Sequence, residues 1–95
     1  MSNTMTREQV QKIVHKVITD TVFIKNIQNN AELTSQKGLD LDFIDCLSIV
    51  MNCEKEFGIQ ISNPEMATIR TVNDIINIVH NKKTKIITTG ISHTK

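Results

Sequence analysis

Few side chains in this sequence are able to do covalent chemistry, and their spacing narrows the field further. Cys46 and Cys53 stand seven residues apart. On a shared helix that places them about 10.5 Å apart along one face, beyond the roughly 7 Å that a disulfide spans. A thiolate is a competent nucleophile and metal ligand, but Asp42 and Asp45 beside Cys46 act to keep its proton on. With no His nearby, two thiols fall short of a zinc site. The expectation is a pair of half-buried free thiols in a reducing compartment. His15, His80 and His93 lie on separate segments. They are expected at the surface, and neither a metal centre nor a catalytic triad follows from them. No nucleophile is paired with a base and no glycine loop is built for phosphate, so the chain is not expected to be an enzyme.

The chain that must position these residues has 95 of them. That is one domain's worth, with a small core and no room for an interdomain cleft. Three Phe and no Trp or Tyr leave the core to Ile, Val, Leu and Met. Charged residues are 22% of the chain and the formal net charge is +1, against intrinsic disorder. No apolar run reaches the roughly 18 residues of a membrane span, and MSNTMTREQ lacks the layout of a signal peptide. A cytoplasmic protein without membrane insertion is expected. The charge is unevenly spread: residues 1–30 carry +2, residues 31–66 carry −5 and residues 67–95 carry +4. An acidic middle is what a basic partner would find. Lys82, Lys83 and Lys85 make only a weak basic tail without aromatics, so nucleic acid is not an expected partner.

The elements follow from capping signals and periodicity. Thr6-Arg7-Glu8-Gln9 reads as a capping box. Val10, Ile13, Val14, Val17 and Ile18 follow as one apolar stripe, which predicts a helix from about residue 6 to about 19, fraying over Thr19–Val22. From Val22 to Leu41 no period persists. This is a long loop, to be pinned by Phe23, Ile24, Ile27, Leu33, Leu39 and Leu41. Asp40 or Asp42 caps a second helix, with Asp45 in its first turn and Ile44, Leu47, Val50, Met51 and Phe57 as its core face. Gly58 is placed to end it in the left-handed conformation, with Ile59 and Ile61 packing back. Ser62-Asn63-Pro64-Glu65 opens a short helix to about Ile69, with Pro64 at its first position. Thr71-Val72-Asn73-Asp74 starts the last helix, whose inner face is Val72, Ile75, Ile76 and Val79. After Asn81 the pattern is lost. The predicted fold is all-α: a small bundle of three main helices and one short one, with a long first loop, over residues 1–82, and a disordered tail over 83–95.

In this arrangement the chain resembles the acyl carrier protein family. The resemblance rests on Asn29-Asn30-Ala31, on Gly38-Leu39-Asp40-Leu41-Asp42-Phe43-Ile44-Asp45, on Glu54-Lys55-Glu56-Phe57-Gly58-Ile59-Gln60-Ile61, and on Ile69-Arg70-Thr71-Val72-Asn73-Asp74. It covers about residues 6–82. In that family the second helix opens with Asp-Ser-Leu, and the serine carries 4′-phosphopantetheine, whose thiol holds the acyl group. Here the corresponding residues are Asp42-Phe43-Ile44, so Phe43 stands at the serine's place. A phenyl ring forms no phosphodiester. No prosthetic group is expected on the chain as written. A carrier with its arm at an unusual site is the alternative. Ser48, about 140° around the helix from Phe43, Ser35, Thr34 and the thiol of Cys46 are poor substitutes. The loop is about two residues longer than the family pattern and the chain is near neutral where the family is acidic.

The resemblance also implies partners. Enzymes of fatty acid, polyketide or similar synthesis dock on the family's acidic second helix through basic patches. Asp42, Asp45, Glu54 and Glu56 keep part of that field, with Lys55 opposing it and Leu47 on an apolar stripe between. Phe43 is expected to be exposed at the helix start, as a contact point or as a plug over the apolar interior. The chain is expected to be monomeric. A non-carrying interaction module follows as the first reading.

Overall fold

The computed structural model describes residues 5–92, with side chains through Lys83. Four helices follow one another: α1 (Arg7–Val22), α2 (Phe43–Phe57), α3 (Asn63–Ala67) and α4 (Val72–Ser92). The long helices α1, α2 and α4 pack pairwise around one aliphatic core. This is the small helical bundle that the sequence predicts, long first loop included.

Each start is set by a side chain that satisfies backbone N–H groups left free by the first turn. Thr6 accepts from the backbone of Gln9 while Gln9 reaches back to Thr6. Ser62 and Glu65 do the same for α3. Asp74 accepts from the backbone of Arg70 and Thr71 at 2.8 and 3.0 Å, fixing the start of α4. With Ser62 as the cap, Asn63 takes the first position of α3, Pro64 the second, and the helix ends at Ala67, short of Ile69.

The ends of α1 and α4 also differ from the pattern-based reading, and the cap of α2, open between Asp40 and Asp42, is decided. Helix α1 does not fray after Thr19 but continues to Val22, because the Thr19 carbonyl accepts from the N–H of Phe23, which holds φ +61°. Phe23 is therefore no pin: it is 85% exposed, while Ile24 beside it packs on the core. Asp40 does not cap α2; it sits at φ +55° and leaves Asp42 to do so. Helix α4 continues in backbone to Ser92, past Asn81, since extending a formed helix costs little even for a weak pattern. The tail's last residues, with His93, lie outside the described ones.

The loop between α1 and α2 is ordered by burial and by the N-terminus of α4. Ile27, Leu33 and Leu41 are buried. Glu32 and Thr71 form an isolated antiparallel bridge. Leu33 donates to the Arg70 carbonyl at 2.8 Å, and Asn73 donates to that of Asn29 at 2.7 Å. His15, expected at the surface, is half-buried and shares a 2.7 Å hydrogen bond with Asn29, which itself donates to Gln11. Gly38 lies so close to the backbone of Glu32 that a Cβ would overlap the Glu32 carbonyl.

Helix α2 presents its core face in a different rotation from the expected one. Val50 and Phe57 are inside, but the fully buried positions are Ile49 and Cys53. Ile44 and Met51 are 63% and 51% exposed, and Leu47 is half-buried. The helix carries two apolar stripes, and α1 and α4 cover only one of them.

Candidate functional site

The start of α2 gathers most of the residues singled out from the sequence. Asp42 accepts from the Asp45 N–H at 2.8 Å, and Asp45 accepts in return from that of Asp42 at 3.4 Å. This reciprocal cap uses one oxygen of each carboxylate. It leaves two negative charges at the positive end of the helix, where they are stabilised. Cap placement makes Phe43 the first helical residue, and its ring is 67% exposed. Leu41, on the other side of the cap, is buried. The chain thus turns outward between an anchored Leu41 and an exposed Phe43.

Phe43 stands on the rim of a cleft of about 770 Å³ between α2, the first loop, α3 and the start of α4. Its apolar lining comes from the first loop, α2, α3 and the segment between α3 and α4, among them Leu33, Cys46, Val50, Met66 and Ile69, while α4 contributes Asp74. The half-buried thiol of Cys46 is pushed above its ordinary value by burial first, then by the charges of Asp45 and Asp42. A thiol so held is a weak nucleophile at neutral pH. Cys53, in the core, is pushed up to about 12, again mainly by burial.

The remaining acids divide. Glu56 is exposed, whereas Glu54 is half-buried and accepts the Ile61 N–H at 2.8 Å, tying the end of α2 to the turn that follows. Glu54 therefore serves the fold as well as the field. Lys83 donates to the Phe57 carbonyl at 3.0 Å and places a cation where the helix dipole favours one. Ser48 is half-buried within α2, and the Ser35 hydroxyl accepts from the backbone of Lys37 inside the loop. Among the described residues no cluster of three His, Cys, Asp or Glu is placed to hold a metal ion. No described helix is long and apolar enough to cross a membrane.

Over most of its length the chain aligns with proteins of known name. It is 27% identical over 75 residues to an acyl carrier protein of Coprothermobacter proteolyticus, spanning 79% of this chain and 92% of that one. It is 28% identical over 76 residues to one of Thermotoga maritima, spanning 80% and 94%. A solved acyl carrier protein from Enterococcus faecalis superposes with a TM-score of 0.64 at 28% identity, covering 81% of this chain and 98% of the other. The chain is similar to acyl carrier proteins. No family model matches it. The likeness in sequence and in fold supports an acyl-carrier-like domain, and it spans nearly the whole length of the relatives.

Within this acyl-carrier-like domain the structure brings Asp42, Phe43 and Asp45 together at one helix end and sets Leu47, Glu54 and Glu56 along the rest of α2. Sequence reasoning missed Met66 and Ile69 as cleft walls and Phe23 as an exposed aromatic, and it favoured the core for Ile44 and Met51 over a partner-binding stripe with Phe43 and Leu47.

Proposed function

We infer that this acyl-carrier-like domain carries no phosphopantetheine and acts as an interaction module for enzymes that recognise acyl carrier proteins. The observation that carries the reading is Phe43. It is the first residue of α2 and well exposed, at the place where the resemblance puts the attachment serine. A modifying enzyme reaching that helix end meets a phenyl ring with no oxygen to attack. Two of the nearby hydroxyls support the same reading, since Ser48 lies inside the helix and Ser35 is engaged in its own turn.

What remains useful there is the surface. Asp42 and Asp45 hold negative charge at the helix start, Glu56 extends it, and Phe43 and Leu47 supply apolar contact. Such a surface steers a basic partner through its charges and holds it through desolvated apolar area. On this reading the chain performs no chemistry of its own and is monomeric and cytoplasmic.

The test is intact mass spectrometry after incubation with coenzyme A and a broad-specificity phosphopantetheinyl transferase. The wild-type mass should stay unchanged, and Phe43→Ser should gain one phosphopantetheine. A wild-type gain would make the chain a genuine carrier with its arm at another hydroxyl, and would overturn the reading. In a binding assay with a purified ketoacyl synthase, Phe43→Ala and Asp45→Lys should each weaken association.

A further inference from the structure

We propose that Phe23 is a second aromatic anchor of the docking surface, flanking the exposed crest of α2 on the side opposite Phe43, and that the surface fits the apolar groove of a different protein with cations at its edge. The proposal rests on the α2 docking reading and extends it to the end of α1.

Phe23 breaks two rules at once. It is 85% exposed, more than any other large apolar side chain among the described residues, and it holds φ +61°. The left-handed conformation after a helix suits glycine and is a genuine outlier for a bulky side chain. The turn itself needs no phenyl ring. It is made by the Phe23 N–H donating to the Thr19 carbonyl at 2.8 Å, by the Thr19 hydroxyl donating to the Ile24 carbonyl at 2.7 Å, and by Ile24 packing on the core. Glycine would make all three at lower conformational cost. An aromatic held outward where the fold would be better served without it points to a role outside the fold.

Its position gives that role a place. Asn52 donates to the Thr21 hydroxyl at 2.9 Å, which lays the end of α1 along α2 two residues before Phe23. At 100° per residue, Ile44 and Met51 lie within about 20° of each other, on the side of α2 away from Ile49 and Cys53. Asn52 marks the flank toward α1, and Phe43, on the cleft rim, marks the other. An aliphatic crest with an aromatic on each side is an interface core of ordinary composition.

Charge decides what covers it. Helix α2 carries Asp45, Glu54 and Glu56, with Asp42 as its cap, against Lys55 alone. A second copy seated on this face would bring those acids against themselves, and like charges across an interface disfavour it. A partner with Lys or Arg around an apolar groove is complementary. Lys25, exposed beyond Phe23, confines the partner's cations to the α2 side.

The experiment is a nuclear magnetic resonance titration of the labelled protein with two helical peptides. Both carry leucine on one face; one is flanked by lysines and the other by glutamates. The lysine peptide should shift Phe23, Ile44 and Met51, and the glutamate peptide should not. Phe23→Gly should weaken the lysine peptide at least about tenfold, as loss of an interface anchor does, with a melting temperature equal to or above that of the wild type. If Phe23→Gly binds normally while Phe43→Ala and Asp45→Lys bind weakly, the Phe23 anchor is refuted and the α2 reading stands. If all three bind normally, both fall. A lower melting temperature for Phe23→Gly would make the ring structural and overturn the proposal. So would a dimer in sedimentation whose contacts map to this face.

Discussion

Substituting Ile49 and Ile44 separately by alanine tests the rotation of α2, on which the site depends. The two residues are chemically identical, five positions apart on one helix, and opposite in environment: Ile49 is 0% exposed and Ile44 is 63% exposed. Ile→Ala removes three carbons. At about 0.8 kcal/mol per buried methylene, the transfer loss at Ile49 is roughly 2.4 kcal/mol. The cavity left among α1, α2 and α4 raises the total to about 3–4 kcal/mol, within the usual range for buried aliphatics. At Ile44 most of the side chain already meets water, so the cost should stay below about 1 kcal/mol. For a chain of this length, about 1 kcal/mol corresponds to about 4–8 °C, so Ile49→Ala should melt at least about 12 °C lower and Ile44→Ala less than about 8 °C lower than wild type. With no Trp or Tyr in the chain, far-UV circular dichroism in urea is the assay. Equal losses at the two positions, or a larger one at Ile44, would mean that α2 turns its other stripe inward and that the exposed crest does not exist.

Three further outcomes follow from single contacts. Gly38→Ala should destabilise by more than about 2 kcal/mol, because the new Cβ would meet backbone, with the Glu32 nitrogen 2.8 Å away, and backbone yields little; a change within about 0.5 kcal/mol in the same urea titration would refute the close approach. Alkylation by iodoacetamide followed by peptide mapping should label Cys46 slowly and Cys53 only after unfolding, since burial raises both thiols and encloses Cys53 completely. Glu65, paired with Lys82 at 2.8 Å, is held down to about 2 by that partner and by the Ser62 backbone. Its folded pKa lies below its unfolded one, so its contribution is full above about 4.5 and is lost as pH falls toward 2. Glu65→Gln should therefore lower stability above about pH 4.5, by only a small amount as expected for a surface pair, with the difference from wild type shrinking as pH falls toward 2, so that the acid limb of the curve is flatter.

Much of the fold was legible in residue types because capping is local. Thr6, Ser62 and Asp74 announce helix starts through hydrogen bonds that span three or four residues, and Gly58 announces an end through a conformation that glycine adopts freely. Such contacts need no knowledge of the rest of the chain. The inner face of α4 was legible for a related reason: Val72, Ile75, Ile76 and Val79 form a single stripe whose neighbours, Ile78 apart, are polar, and all four are buried. The resemblance to acyl carrier proteins also rests on contiguous residues.

Helix α2 was different. Its residues offer two apolar stripes to a core that accepts one, and hydrophobicity does not distinguish them. Only the packing of α1 and α4 chooses Ile49 and Cys53 for the interior and leaves Ile44 and Met51 outside. Asp40 and Asp42 were equal as caps until burial of Leu41 set where the turn begins. Phe23 looked like a pin because a phenyl ring usually finds a core. Whether it does is decided by the turn after Val22, where burying Ile24 sends its neighbour outward. The types and order of the residues thus determined which helices form and the chemistry available at the start of α2. The surface on which that chemistry stands was decided by which stripe the other helices cover.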